Sequence, residues 1–277
     1  MNSDKIRIHT VKEILTELKD CIDHKKPFSL IRFGDGGIKV LESILYNNNK
    51  ARFLEILEKE GIPYNKVYPI FYLWGKFASE ANFIDSPEIY FTDKFWSRFT
   101  EQKRNRVLPV IKNWRKIYYN AEFNNERYCN PEVNFLMLIQ RQDCPNLINI
   151  IKNKKIRSIT DHKEVNNYLS QVCNSSILEI SGWYQNQFIN NYRNITKEIK
   201  KDAKKYDLWL VGAGELGRVY TGLIKKHGGR AIDIGSVFDT WITNKIPVRL
   251  QGYISRLSPT SLKFQFTNIS KQYVKYI

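Results

Sequence analysis

The chain has 277 residues, of which 42% are hydrophobic and 13% aromatic, and this is enough to bury the core of an enzyme-sized protein. Its 44 basic and 28 acidic residues give a net charge of +16, which suits nucleic acid, an anionic membrane or a phosphate-bearing ligand. Uninterrupted apolar runs of about 18 residues are absent, and charges near residue 5 exclude a typical signal peptide. We therefore expect a cytoplasmic protein.

The cysteines and the basic segments indicate which metal sites, disulfides and partners to expect. The cysteines form no Cys-x-x-Cys pair, so we expect ordinary reduced thiols rather than a zinc site or disulfides. Basic residues cluster at 103–116, 152–157 and 197–205, without the interleaved aromatic residues of a nucleic-acid motif. The sequence predicts no nucleic-acid partner, and helical basic faces favour peripheral contact with the inner face of the plasma membrane. The four cysteines are Cys21, Cys129, Cys144 and Cys173.

The first half of the chain begins with a predicted helix. Thr10 and Glu13 form a capping-box pair, and apolar residues then repeat with helical period until Pro27. A buried strand is predicted at 28–33, running directly into a glycine-rich segment. Further predictions are a helix from about 38, a helix at 51–60 closed by Gly61, a strand at 67–74, and a mainly helical stretch at 86–141 with a polar break at 120–131.

The second half alternates strands and helices. Such alternation predicts right-handed crossovers and a parallel sheet covered on both faces, which is a Rossmann-like α/β fold. We expect a single domain over 1–277, with a boundary near 150 as the alternative and an irregular C-terminal extension at 242–277. The predicted strands are 156–160, 176–180, 208–211 and 230–234, and the predicted helices are 163–173, 185–205 and 215–227.

A glycine fingerprint, Gly-Ala-Gly-Glu-Leu-Gly, follows the predicted strand at 208–211. Gly212, Gly214 and Gly217 would permit a tight turn and offer helix N–H groups to a phosphate, and Asp233 follows at the end of the next strand. The motif is typical of NAD(P)-dependent oxidoreductases, but it lies too near the end of the chain to open a full dinucleotide domain. A purely structural strand-to-helix turn is a further alternative.

A second loop, Arg32-Phe33-Gly34-Asp35-Gly36, leaves the predicted strand at 28–33. Ligands of open α/β sheets bind at the carboxyl ends of the strands, where this loop places a guanidinium and a carboxylate. An arginine can bind phosphate oxygens in a bidentate manner, and a carboxylate can hold a divalent cation that bridges a pyrophosphate. The alternative is an Arg32–Asp35 ion pair across a tight turn.

Residues 28–36 and 231–241 together resemble the GT-D type of bacterial glycosyltransferase. The resemblance implies transfer of a sugar from a nucleotide diphosphate donor, with UDP as the expected nucleotide, to a cell-surface glycan, glycolipid or glycoprotein in polysaccharide biosynthesis. It implies Asp35, Arg32 and Glu122 as catalytic residues. The donor-binding residues it implies are Arg32, Phe33, Gly34, Gly36, Gly212, Gly214, Gly217, Asp233, Gly235 and Ser236.

The family's loop continues into an Asp-x-Glu metal motif, and here Gly37 stands in place of the glutamate. The resemblance implies Mn²⁺ or Mg²⁺ as cofactor, and the lost carboxylate should weaken cation binding unless another oxygen replaces it. Asp35 is the expected ligand and Asp239 the candidate replacement, with Glu42 as a weaker one. A catalytically inactive basic binding protein is therefore a second alternative to the transferase.

Other polar and aromatic residues are candidates for contacts with the acceptor or the donor. An inverting transfer needs a carboxylate base within reach of the acceptor hydroxyl. Aromatic side chains near the sheet ends could stack on a base or a sugar ring, and a histidine after a strand could contact phosphate. The candidate bases are Glu122, Glu132 and Asp161, the aromatic residues are Trp183, Tyr184 and Trp241, and the histidine is His162.

Overall fold

The computed structural model describes residues 7–33, 58, 60–85, 101, 127–130, 133–138, 145–182 and 186–243. Most residues of the helices predicted after residue 38, at 51–60 and between 86 and 141 lie outside these ranges, as does most of the predicted extension at 242–277.

A single parallel sheet of eight strands organises this part of the chain. The strand order is β1-β4-β3-β2-β8-β7-β5-β6, so strands from both halves of the sequence pair with one another. The strands are β1 (Ile8–His9), β2 (Phe28–Ile31), β3 (Phe83–Asp85), β4 (Tyr128–Cys129), β5 (Lys155–Thr160), β6 (Asn174–Glu179), β7 (Leu208–Val211) and β8 (Arg230–Asp233).

Helices cover both faces of the sheet. On one face lie α1 (Val11–Asp23), α3 (Val133–Leu136), α4 (Leu147–Ile151), α5 (Val165–Leu169) and α8 (Val237–Thr243). On the other lie α2 (Tyr64–Glu80), α6 (Gln187–Asp202) and α7 (Gly217–Lys226), the last preceded by a 3-10 turn at Gly214–Leu216. Each face has its own buried apolar cluster. The predicted α/β class with a helix-flanked parallel sheet is confirmed.

The first helix shows how closely local sequence can determine an element. The Glu13 backbone N–H donates to the Thr10 hydroxyl, and the Glu13 carboxylate accepts from the Thr10 backbone N–H, so the predicted capping box is present. The hydrogen bonds that the Glu13 carboxylate accepts from the Thr10 backbone N–H, the Thr10 hydroxyl and Arg7 lower its pKa to about 2. Behind the cap, the apolar residues that repeat with helical period are all buried on one face.

The predicted strand at 67–74 is wrong. This segment is the middle of helix α2, and the strand comes later, at Phe83–Asp85. The segment is rich in aromatic and β-branched residues, which favour strands, but Val67, Ile70 and Trp74 are buried with the three- and four-residue spacing of a helix. Packing of that helical stripe against α7 overrides the local strand preference.

The described cysteines are buried thiols, and the described helices are not of the membrane-spanning kind. Cys21, Cys129 and Cys173 are free and buried, and Cys144 lies outside the described residues. Burial raises the pKa of Cys173 to about 12, so its thiol stays protonated at neutral pH. Among the described helices, none combines the length and apolar character needed to cross a bilayer.

Candidate functional site

The two segments that carry the family resemblance meet at the carboxyl edge of the sheet. Strands β2 and β8 are parallel neighbours, with Leu30 opposite Ile232. The segment after β2 therefore begins beside the segment that follows Asp233. Arg32, in the segment 28–36, therefore lies next to residues 233–235, in the segment 231–241.

Two buried carboxylates hold the backbone as it leaves β2. The Arg32 backbone N–H donates to the Asp233 carboxylate on β8, and the Phe33 N–H donates to Asp85 Oδ1 on β3 at 2.9 Å. Both carboxylates are less than a tenth exposed. Because buried N–H groups bound to carboxylates are costly to release, the chain direction at Arg32 and Phe33 is fixed from both neighbouring strands.

A buried arginine holds the two carbonyl groups of the same residues. Arg218, in the first turn of α7, donates from Nε to the Arg32 carbonyl oxygen at 2.8 Å and from Nη2 to the Phe33 carbonyl oxygen. Its third contact is an ion pair with Glu215, and its guanidinium lies 4.6 Å from the centre of the Trp74 ring. The sequence analysis missed Arg218, because no local pattern links it to a loop 186 positions away.

We call Asp85, Asp233 and Arg218 the exit clamp, because together they bind all four backbone polar groups of the two residues that leave β2. Asp35 follows Phe33 by two positions in the sequence and lies outside the described residues. The backbone of Arg32 and Phe33, from which the chain continues to Asp35, is therefore held by side chains from three elements.

The Arg32 side chain lies against the backbone of Gly235. A Cβ atom added at Gly235 would come within 3.1 Å of Arg32 Nη1, and Gly235 has a φ of 51°, which side-chain-bearing residues rarely adopt. The buried side chain of Asn134 donates to the Ile234 carbonyl oxygen at 2.7 Å and supports the same turn. The buried Arg32 guanidinium thus packs against the Gly235 turn at the carboxyl edge.

Asp233 has an unusual electrostatic environment. Burial raises its pKa to about 6, and the nearby Asp85 carboxylate acts in the same direction, whereas Arg218 and Arg32 lower it. With a pKa of about 6, the Asp233 carboxyl is mostly ionised at neutral pH and partly offsets the charges of Arg32 and Arg218.

The glycine fingerprint has a different structural basis at each position. A Cβ at Gly212 would come within 2.6 Å of the Phe238 ring, so Gly212 lets α8 pack against the end of β7. Gly214 is exposed with a φ of 51°, and Gly217 begins α7 with space for a Cβ. The buried Glu215 carboxylate lies in the same turn. Among these glycines, the exposed backbone of Gly214 is the one that a phosphate could approach.

Behind the fingerprint lies a buried carboxylate that the sequence analysis also missed. With its amide nitrogen turned towards them, Gln187 donates to Glu60 Oε2 at 3.0 Å and to the Ala213 carbonyl oxygen at 3.1 Å. Glu60 is fully buried. Through Gln187, this acid links the chain ahead of α2 to the glycine turn, and no spacing in the sequence connects the two.

A polar cluster lies at the carboxyl end of β5. His162 Nε2 lies 2.8 Å from Asp239 Oδ1 on α8 and 3.6 Å from Asp161 Oδ1. Beside it, a cavity of about 590 Å³ is lined by Asp161, Glu179 and residues 180–182 together with Asn191. The structure therefore brings together the candidate base Asp161, the candidate phosphate contact His162 and the candidate metal ligand Asp239.

The described residues hold no group of three or more His, Cys, Asp or Glu side chains placed to bind a metal ion. Gly34, Asp35, Gly36, Gly37 and Glu42 lie outside the described residues, as do Glu122, Glu132, Trp183 and Tyr184. Ser236 is half-buried at the start of the turn before α8, where its carbonyl oxygen accepts from Thr240.

Similarity of this chain to known proteins lies in its structure rather than its sequence. No family model matches the sequence, and no curated protein matches it significantly. One solved structure, of a glycosyltransferase (DUF1792) from Streptococcus sanguinis, is 16% identical, superimposes with a TM-score of 0.56, and covers 87% of this chain and 86% of its own. This chain has the DUF1792 glycosyltransferase fold.

Two further DUF1792 structures agree with that assignment. One, for which a distinct glycosyltransferase fold is described, has 19% identity, a TM-score of 0.51 and coverage of 84% of this chain and 83% of its own. The other, a selenomethionine-substituted DUF1792 domain, has 18% identity, a TM-score of 0.54 and the same coverage. The resemblance to GT-D type transferases is thus confirmed for the fold, and the DUF1792 likeness extends over most of the chain.

Proposed function

We propose that this protein is a glycosyltransferase that takes a sugar from a nucleotide diphosphate donor, with UDP as the nucleotide. One observation carries the proposal. In a DUF1792 fold, the Arg32 side chain lies against the Gly235 turn at the carboxyl edge of the sheet, where α/β proteins bind their ligands. The proposed acceptor is a cell-surface glycan, glycolipid or glycoprotein, and the proposal includes peripheral contact with an anionic membrane.

In sugar transfer, the groups that face the leaving diphosphate have the largest catalytic role. Sugar transfer breaks the bond between the anomeric carbon and the diphosphate oxygen, and the developing negative charge needs fixed donors or cations. Arg32 supplies a guanidinium at the edge, and the exposed backbone of Gly214 is a second candidate contact. Asp161, at the end of β5, is the described candidate for the base that receives the acceptor proton.

The proposed divalent cation rests on Asp35 together with Asp239. A bound Mn²⁺ or Mg²⁺ would neutralise diphosphate charge. Since Asp239 contacts His162, cation binding there has to compete with that contact. We therefore expect weak cation affinity, measurable as a small additional thermal shift when Mn²⁺ is added with UDP.

A thermal-shift screen with UDP, GDP, NAD and a short RNA, each with and without Mn²⁺, tests the proposal. Stabilisation by UDP alone among the four is the expected result. Stabilisation by NAD without a UDP effect would transfer the assignment to an oxidoreductase. RNA binding with a steep salt dependence would identify a basic binding protein.

Turnover is tested separately, by release of UDP from UDP-sugars. The Arg32→Gln variant should lose UDP-induced stabilisation, and the Arg193→Gln variant, which removes the same charge from an exposed position on α6, should keep it. UDP binding without any turnover by the unmodified protein would indicate an inactive transferase, in line with the Gly37 replacement.

A further inference from the structure

An apolar groove on the face opposite α1 has no role in the site described above. The groove has a volume of about 440 Å³ and lies between helices α2 and α6. Its walls are formed by Pro69, Ile70 and Leu73 of α2 and by Phe188, Ile189 and Tyr192 of α6. Ile189 is 66% exposed, so the apolar lining of the groove continues to the solvent-facing surface.

Two basic side chains flank the groove. Lys66 on α2 and Arg193 on α6 both line it and are both exposed. Within the described part of the chain, neither side chain forms an ion pair. By contrast, Lys201 and Lys205, further along the same stretch, contact Glu198 and Asp202. An apolar channel with unpaired cations beside it is complementary to a ligand with an anionic head and an apolar tail.

The position of the groove relates it to the candidate active site. The groove is built from the N-terminal halves of α2 and α6, and these helix starts adjoin, because a Cβ at Gly61 would come within 2.9 Å of Asn186 Cα. Gln187, the first residue of α6, reaches the Ala213 carbonyl oxygen in the glycine turn. The groove therefore opens beside the carboxyl edge that carries the glycine turn.

The wall on the α6 side is pre-formed. The rings of Phe188 and Tyr192 stack with their centres 4.7 Å apart, and the Tyr192 ring lies 6.1 Å from that of the buried Tyr220. A rigid aromatic wall loses little side-chain entropy when it receives an apolar chain. This favours a binding surface over a shallow gap between helices.

We infer that the groove binds an anionic membrane lipid, with the apolar chain between α2 and α6 and the phosphate against Lys66 and Arg193. The inference rests on the membrane contact included in the proposed function and assigns a place to it. That place differs from the basic segments 152–157 and 197–205 that the sequence singled out. Lipid binding there would hold the carboxyl edge close to the bilayer surface.

Co-sedimentation with phosphatidylcholine vesicles, with and without phosphatidylglycerol, tests the inference. We expect binding to the anionic vesicles alone, weakened about tenfold by Arg193→Glu and several-fold by Ile189→Ser. The matched control is Lys152→Glu, which makes the same charge change at an exposed site on the opposite face of the sheet. It should bind as the unmodified protein does.

Equal weakening by the Lys152 and Arg193 variants would overturn the inference in favour of diffuse charge attraction. Absence of binding to anionic vesicles would overturn it as well, and so would full competition by inorganic phosphate, since phosphate does not occupy the apolar groove. The readout does not involve the nucleotide. The UDP thermal shift, measured on the same variants, therefore separates failure of this inference from failure of the proposed transferase.

Discussion

The ring of Phe238 lies against Gly212, so closely that a Cβ atom at that glycine would come within 2.6 Å of the ring carbon Cδ2. This contact joins the end of β7 to α8 and gives the first glycine of the fingerprint a packing role.

The Gly212→Ala variant should therefore lose stability, by about 1 to 3 kcal/mol, because the added methyl group must displace the Phe238 ring. Urea unfolding measures the change. The matched control is Gly217→Ala, in the same fingerprint, where the nearest atom to an added Cβ is 3.6 Å away. Equal destabilisation of both variants would contradict the packing role of Gly212.

The exit clamp predicts a kinetic effect of Arg218. The Arg218→Lys variant keeps the positive charge but cannot bind both carbonyl groups and Glu215, so the loop after Phe33 should lose its fixed direction. We expect the rate of UDP release from a UDP-sugar to fall at least tenfold, on the order expected for a misplaced catalytic group.

The control for this prediction is Arg193→Lys, a change of the same kind at an exposed site. Its rate should match that of the unmodified enzyme. If Arg218→Lys lowers the melting temperature but leaves the rate unchanged, the clamp serves stability alone.

Asp233 makes stability depend on pH in an acidic range. Because its pKa is raised from 3.8 to about 6, folding takes up a proton there, and the stabilisation is fully present below pH 4. It is lost as the pH rises towards 6, by about 3 kcal/mol in total. The Asp233→Asn variant should remove this component, so the difference in unfolding free energy between the two proteins should change between pH 4 and 6 and level off above it.

Chemical denaturation at several pH values provides the measurement. Titration of the other carboxylates contributes to both proteins and cancels in the difference. A difference that stays constant across this range would show that Asp233 titrates normally.

Gly235 should matter for donor binding beyond its effect on stability. The Gly235→Ala variant must adopt a left-handed backbone conformation, at a cost of about 1 to 2 kcal/mol, and its methyl group would press on Arg32. We expect UDP affinity, measured by isothermal titration calorimetry, to fall about tenfold or more, as when a charged hydrogen bond to phosphate is lost.

Gly228→Ala serves as the control for Gly235, since its φ of 83° imposes a similar strain and its Cβ would meet only the side chain of Lys204. It should unfold more easily and still bind UDP normally. Similar UDP affinity in both variants would remove Gly235 from the donor site.

The fold was predictable where local patterns were long. Strands β5 to β8 and the helices between them alternate with clear periodicity, and their predicted positions agree with the structure to within a few residues. Strands β1 and β4 have two residues each, too few for any pattern to identify. At 67–74 the residue types favoured a strand, and only tertiary packing reveals the helix.

The site was predictable where a residue stands at the end of a recognisable strand. Arg32, Asp233 and Gly235 belong to that group, because parallel strands end at one edge. Asp85 and Arg218 do not, since their partners are backbone groups of Phe33 at separations of 52 and 185 positions. A hydrogen bond between a side chain and a distant peptide group leaves no periodic trace in the sequence.

The exit clamp also constrains the order in which the protein can fold during its synthesis on the ribosome. Arg32 emerges 186 residues before its partner Arg218, an interval of about 10 to 40 s at ordinary translation rates. Throughout that interval the peptide groups after β2 must find other partners, in water or in a chaperone. The chain that leaves β2 thus acquires its final hydrogen bonds late, once α7 has been synthesised and docked.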